Sequence, residues 1–390
     1  MNQDNCNIES IRKASEEFLN IILSETVTIG EMPAPTFSEN QRAEYIANRF
    51  SEAVLQDCFM DEKSNVMGTI TGSEGTRNII VTSHMDNLNL RENYHINITK
   101  DHMVGPFIEN NALALAVLVS LPFFIDKLNL SFKSNITLLT NTRSLGKGNN
   151  DGLKYYLSST KTKYNAGITL ENITLGRLNY QSIGMLRCEI TCILPENFKW
   201  ERYGAFGTII PMSEIINKIG NIELPKIPVS SLILGSVNGG FSYNNISRKT
   251  KLCFEIRSES FDILKRVREQ IRNITDEVSA RSGVQVSYDI VSEREPGGIE
   301  IGHEIVQKVR SVFNSLMLKP DFFPTVSQLS VLKDFGVPCV TLGITSKDSS
   351  IATNEAEEAL NIGPIPIGVA QLIASLIEID NAQEKQIKGK

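Results

Sequence analysis

Three short apolar runs, at 78–83, 135–140 and 166–170, each stop abruptly at polar residues, and stretches of helical periodicity lie between them. Runs of this length, with apolar residues at consecutive positions such as Ile79-Ile80-Val81, fit strands buried on both faces. Strands that alternate with helices imply a largely parallel sheet, because a parallel pair needs a long crossover and a helix usually supplies it. The runs then deliver the residues that follow them to one carboxyl edge, where open α/β sheets gather ligands. Those residues are His84 and Asp86, Thr142 and Arg143, and Glu171.

His84-Met85-Asp86 sets an imidazole two residues before a carboxylate. A histidine that ligates metal commonly gives its second ring nitrogen to a carboxylate, and Asp86 is placed to receive it. A capped strand end with one satisfied histidine reads the same way from these residues alone. Downstream, the segment from His102 to Asn111 reads as a loop that feeds a buried helix from Ala112 to Phe124. Asn110 and Asn111 are there either N-caps or site residues.

The remaining pattern predicts helices over 8–26, 38–54 and 150–160, with short strands at 66–71 and 94–98. From about 180 the rhythm becomes strand 184–194, helix 208–219, strands 229–237 and 249–257, helix 260–282 and strand 284–292. This βαββαβ order is that of a ferredoxin-like unit. Helices near 303–317 and 326–335, a strand at 337–343 and a helix at 365–379 then resume the first pattern. The expected divisions are 1–178 and 294–380 for one interrupted domain, 179–293 for the insertion, and a flexible tail at 381–390.

A balance of 39 basic against 45 acidic residues gives a net charge of −6, so neither nucleic acid nor an anionic membrane is the expected partner. The first residues lack a basic stretch followed by an apolar core, no run is long enough to span a bilayer, and a cytoplasmic location is expected. Cys6, Cys58, Cys188, Cys192, Cys253 and Cys339 form no Cys-x-x-Cys pair and read as buried thiols.

These motifs, in order and over nearly the whole chain, resemble the co-catalytic zinc peptidase and deacylase family that includes acetylornithine deacetylase, succinyl-diaminopimelate desuccinylase, aminoacylase, glutamate carboxypeptidase and peptidase T. His84-Met85-Asp86 resembles the family's His-x-Asp. Gly105 to Asn111 is similar to its Gly-Pro-Gly-x-x-Asp-Asn, and Leu170-Glu171 falls on its next acidic ligand. Gly239-Gly240-Phe241-Ser242-Tyr243-Asn244-Asn245-Ile246 and Arg257 resemble motifs of its lid. The resemblance implies a zinc-peptidase-like α/β catalytic domain with a mostly parallel central sheet and an inserted ferredoxin-like α+β lid, through which such chains dimerise. It also implies two zinc ions about 3.5–4 Å apart and a glutamate that deprotonates the water between them.

Residue by residue, the resemblance implies that His84 and Glu171 are ligands of one metal and that Asp86 orients the histidine. Asn110 stands at the bridging aspartate, Thr142 at the general base, Arg143 at a ligand of the second metal and Ala352 at that metal's histidine. Phe198 stands where a histidine supports the oxyanion, while Asn244 and Arg257 are the residues that bind a substrate carboxylate. These departures change the chemistry. An asparagine offers only a neutral oxygen, a threonine cannot take a proton near neutrality, and an arginine repels a cation. The expectation is that the Arg143 guanidinium replaces the second zinc and pairs with Glu171 or Asp86.

Three functions remain open from these residues. The first is a degenerate member that has lost two-zinc hydrolysis and binds a small peptide or acylated amino acid. The second is a peptidase or deacylase with a single zinc on His84, Glu171 and the Asn110 oxygen, with Glu109 as base. The third is a non-catalytic subunit that dimerises through the lid.

Overall fold

The computed structural model describes residues 8–53, 55–87, 95–196, 207–350 and 357–382. The chain forms two compact units, Ser182–Gly297 and the remainder on either side of it.

The first unit holds a seven-stranded sheet with the order Gln56–Met60, Val66–Ile70, Asn135–Asn141, Asn78–His84, Ala166–Leu170, Cys339–Leu342 and Leu178–Asn179. Its four inner strands are parallel, and the flanking strands pair antiparallel. The consecutive apolar residues of Asn78–His84 serve two cores. Ile79 and Val81 pack with the helices Leu19–Glu31, Ala112–Lys127 and Ile365–Asp380, while Ile80 packs on the other face with Leu153 and Leu332. Each of these side chains stabilises the fold by about 1.5–3 kcal/mol on burial, which fixes where His84 emerges. The helix Ala112–Lys127 is buried nearly all round, so it carries no polar face.

Several elements differ from the sequence expectation. The first helix divides at Phe18 into Ile8–Glu17 and Leu19–Glu31. The second part runs through Gly30, which is buried beside the Ile96 side chain. The segment expected as a loop contains the strand His102–Pro106, which pairs with Glu357–Asn361 and Asn97–Ile98. The edge strand Gln56–Met60 was not expected at all.

The second unit is a four-stranded antiparallel sheet with the order Ser230–Gly239, Lys249–Ser258, Gly184–Ile193 and Gln285–Arg294. Leu186, Cys188, Ile190 and Cys192 face the helices Ile209–Gly220 and Phe261–Ser282, and the intervening Arg187 and Glu189 lie on the open face. The long helix stops at Gly283, which takes the left-handed conformation at φ 70°. This is the ferredoxin-like arrangement. Among the described residues no helix is long and apolar enough to cross a membrane, and the five described cysteines are free thiols.

Candidate functional site

Strand register pairs His84 with Asn141 and Leu170 with Leu342, so the ends of four parallel strands meet at one edge. His84 Nδ1 lies 3.1 Å from the main-chain oxygen of Asp86 and 3.2 Å from its Oδ1. Asp86 is fully buried, and its Oδ2 accepts from Thr36 Oγ1 at 2.8 Å, the Ser144 N–H at 2.8 Å and the Leu145 N–H at 2.7 Å. Burial opposes its ionisation, but the hydrogen bond and charge of His84, with the Leu145 and Thr36 donors, hold the carboxyl below the usual carboxylate range. The buried Arg42 braces the same turn, donating to Met85 O at 2.5 Å and to Met32 O at 2.6 Å.

A second buried carboxylate completes this corner. Glu39 accepts from the Arg143 N–H at 2.8 Å, so the three successive amides of 143–145 are taken by Glu39 and Asp86. Burial pushes Glu39 up, and the charge of Asp86 adds to the effect. A carboxyl raised by the fold contributes stability below its unfolded value, near 4.3, and that contribution is lost as pH rises through the folded value. Glu39→Gln keeps an acceptor for Arg143 without the charge. It is expected to melt above the wild type at pH 8 and no higher at pH 4. A melting difference independent of pH would contradict this reading.

The proposed metal and base positions are largely occupied by internal bonds. Glu171 Oε1 accepts from Ser327 Oγ at 2.9 Å and from the Gln328 N–H at 2.6 Å. Ser327 in turn accepts from Thr341 Oγ1, at 2.7 Å, and Thr341 accepts from Thr169 at 2.6 Å, a chain of buried hydroxyls that ends on the carboxylate. Thr142 is fully buried, and its hydroxyl donates to Lys63 O at 2.7 Å, with Asn65 Oδ1 at 3.3 Å. Gly152 lets the helix Asp151–Ser159 approach it, since a Cβ would lie 2.7 Å from Thr142 Oγ1.

Arg143 departs from expectation. Its Nη1 lies 3.1 Å from Asp151 Oδ2, and its guanidinium sits 5.6 Å from the Phe37 ring centroid. The expected pairing with Glu171 or Asp86 is replaced by this one. Asp86 Oδ2 and Glu171 Oε1 already accept from neutral donors, and the left-handed backbone of Arg143, at φ 56°, sets it in a tight corner beside Asp151. Glu109 is paired with Lys347, which occupies the carboxylate that would serve as base.

Asn110 makes a main-chain bond to Phe107 O at 2.9 Å and, among the described residues, no side-chain bond. Its neighbour Asn111 joins the strand ends instead. Placed at the N-cap position with φ 69°, it makes no capping bond, and its Nδ2 lies 2.8 Å from Ser83 Oγ, 3.2 Å from His84 O and 3.4 Å from Leu170 O. Ala352 and Phe198 lie outside the described residues. In the second unit Asn244 is exposed and accepts from Ser242 Oγ at 3.1 Å. Arg257 Nε lies 2.5 Å from Glu255 Oε1, and Arg187 Nε lies 2.5 Å from Oε2 of the same carboxylate. Sequence reasoning missed Thr36, Glu39, Arg42, Ser327 and Gln328, none of which carries a motif.

The donor set of the described residues does not fit a two-zinc centre. Among the described residues no group of three or more histidine, cysteine or acidic side chains is placed to hold a metal. A catalytic zinc needs three protein ligands, and one oxygen of each nearby carboxylate, Glu171 Oε1 and Asp86 Oδ2, already accepts from hydroxyl and amide donors.

No family model and no curated protein matches the sequence. Solved structures do match it along its length. The dipeptidase Dug1p of Saccharomyces cerevisiae superposes with a TM-score of 0.79 at 13% identity, covering 97% of this chain and 99% of that one. Human carnosine dipeptidase 1 gives 0.75 at 10% identity, covering 96% and 100%. The YXEP protein of Bacillus subtilis, described as a dinuclear metal-binding peptidase of the M20 family, gives 0.62 at 14% identity, covering 93% and 98%. The chain has the fold of the M20 metallopeptidases.

Proposed function

We propose that this chain is a metallopeptidase-fold protein that has lost two-zinc amide hydrolysis and binds a carboxylate-bearing peptide or acylated amino acid. The observation that carries this reading is the engagement of Glu171 Oε1, which accepts from Ser327 Oγ and the Gln328 N–H. The turn of Thr142 toward Lys63 and the pairing of Arg143 with Asp151 support it. Asn244 and Arg257 are the residues assigned to the ligand carboxylate. The test is a panel of dipeptides and acylated amino acids, with and without added zinc. No hydrolysis is expected, and Arg257→Ala should weaken the binding of any bound member by about tenfold, the scale of one charge-assisted hydrogen bond. Zinc-dependent release of amino acids would overturn this reading in favour of a one-metal enzyme on His84, Glu171 and Asn110.

A homodimer formed through the lid is the second part of the proposal. The strand Ser230–Gly239 is a sheet edge, and Ile233, Leu234 and Val237 on it are 42%, 42% and 55% exposed. Long exposed edges with apolar side chains favour pairing with another strand. Light scattering should give twice the chain mass, and Val237→Lys should give a folded monomer. A monomeric wild type would count against the dimer alone.

A further inference from the structure

The edge strand Gln56–Met60 borders a second concave surface that shares no residue with the site above, and nothing in its reading rests on the proposed function. This groove has a volume of about 610 Å³, within the range of ligand-binding clefts. Its floor is formed by Met67, Tyr156 and Tyr164, the two tyrosine hydroxyls lying 2.5 Å apart. Phe59 and Met60 form its wall and are 53% and 38% exposed. Buried tyrosines joined by a hydrogen bond make the floor preformed, while the wall leaves large apolar surface in water.

The charge of the groove has one sign. Asp57, Asp61 and Glu62 line it, and among the described residues no lysine, arginine or histidine does. Lys63, next in sequence, stands at the rim, 5.7 Å from the centroid of the Tyr155 ring, where Asp151 at 3.0 Å offsets its charge. Asp61 accepts from the Lys63 and Asn65 main-chain N–H groups and from Asn65 Nδ2, and Glu62 accepts from Tyr155 Oη at 3.1 Å. These donors are neutral, so they fix the acids in place without cancelling their charge. The strand itself offers little free ladder. Its register shifts between Gln56 and Phe59, with Asp57 at φ 49°, and a bulge of this kind discourages strand addition. Recognition here must come from side chains entering the groove.

We propose that this groove binds an extended segment of a partner protein in which basic and apolar residues alternate. In an extended chain successive side chains point to opposite sides, so one face can set basic groups against the acids while apolar groups meet Phe59 and Met60.

The probe is a fluorescein-labelled heptapeptide of alternating lysine and valine, with an alternating glutamate and valine peptide as control, followed by anisotropy with the full chain at low salt. Saturable binding of the lysine peptide alone is expected. It should weaken by about tenfold in the Asp57→Asn, Glu62→Gln double variant, and similarly in Phe59→Ser, while Glu74→Gln, an exposed acid outside the groove, leaves it unchanged. Asparagine tolerates the left-handed backbone at 57, and all the altered residues are exposed, so unchanged melting temperatures check that each variant folds. Failure of the lysine peptide to bind, equal binding of the glutamate peptide, or equal binding by the double variant would overturn the proposal.

Discussion

Replacing Thr142 by glutamate, the residue that the peptidase resemblance places at this position, is expected to destabilise the first unit by more than about 4 kcal/mol. Thr142 is fully buried, and its side chain faces two acceptors, Lys63 O and Asn65 Oδ1. A carboxylate there would meet oxygen atoms in place of donors. Asn65 cannot turn its amide to help, because its Nδ2 is bonded to Asp61 and to Gly152 O while its Oδ1 accepts the Thr142 N–H. An unpaired buried charge and the added volume act in the same direction. Thr142→Ser keeps the hydroxyl and should cost about 1 kcal/mol for the lost methyl. Urea unfolding of the pair measures both. A glutamate variant as stable as the wild type would mean that position 142 opens into a cleft.

The second large effect is expected at Asp86. Asp86→Ala removes the acceptor shared by Thr36 Oγ1 and the Ser144 and Leu145 amides and leaves His84 without its carboxylate. The expected cost is about 3–5 kcal/mol, the scale for stripping one partner from a buried charged network. Linkage supplies an independent check. The carboxyl is held below its ordinary value in the fold, so its contribution is fully present above the unfolded value, near 3.9, and is lost as pH falls through the folded value. The stability gap between wild type and Asp86→Ala should therefore shrink in strong acid, as the pH falls below the unfolded carboxyl value. A gap that grows between pH 4 and strong acid would contradict this assignment.

The parallel core was legible because its signal is local. Ile79-Ile80-Val81 must bury consecutive side chains on two faces, and only a strand between two helical layers does so. The ferredoxin-like order was legible for the same reason, since Leu186, Cys188, Ile190 and Cys192 alternate with polar residues on a strand with one wet face. The strands Gln56–Met60, His102–Pro106 and Glu357–Asn361 were not. Each is short, and it is a strand because of the chain it pairs with, a partner set by tertiary structure.

At the candidate edge, sequence spacing brings Asp86 beside His84 because the two lie on one turn after a strand. What spacing does not carry is where a side chain turns next. Arg143 goes to Asp151 because its own backbone is left-handed and the amides around it are taken by Glu39 and Asp86, which lie on distant parts of the chain. Glu171 is engaged by Ser327 and Gln328, more than 150 residues away, whose identities form no motif.

The most direct test of the claim that this fold no longer supports two-zinc chemistry is the metal content of the purified, unchelated chain, followed by zinc titration with competition from a chromophoric chelator. The expected result is zinc far below one per chain and no site that competes with the chelator. Two zinc ions per chain, retained through gel filtration and lost in His84→Ala, would contradict it.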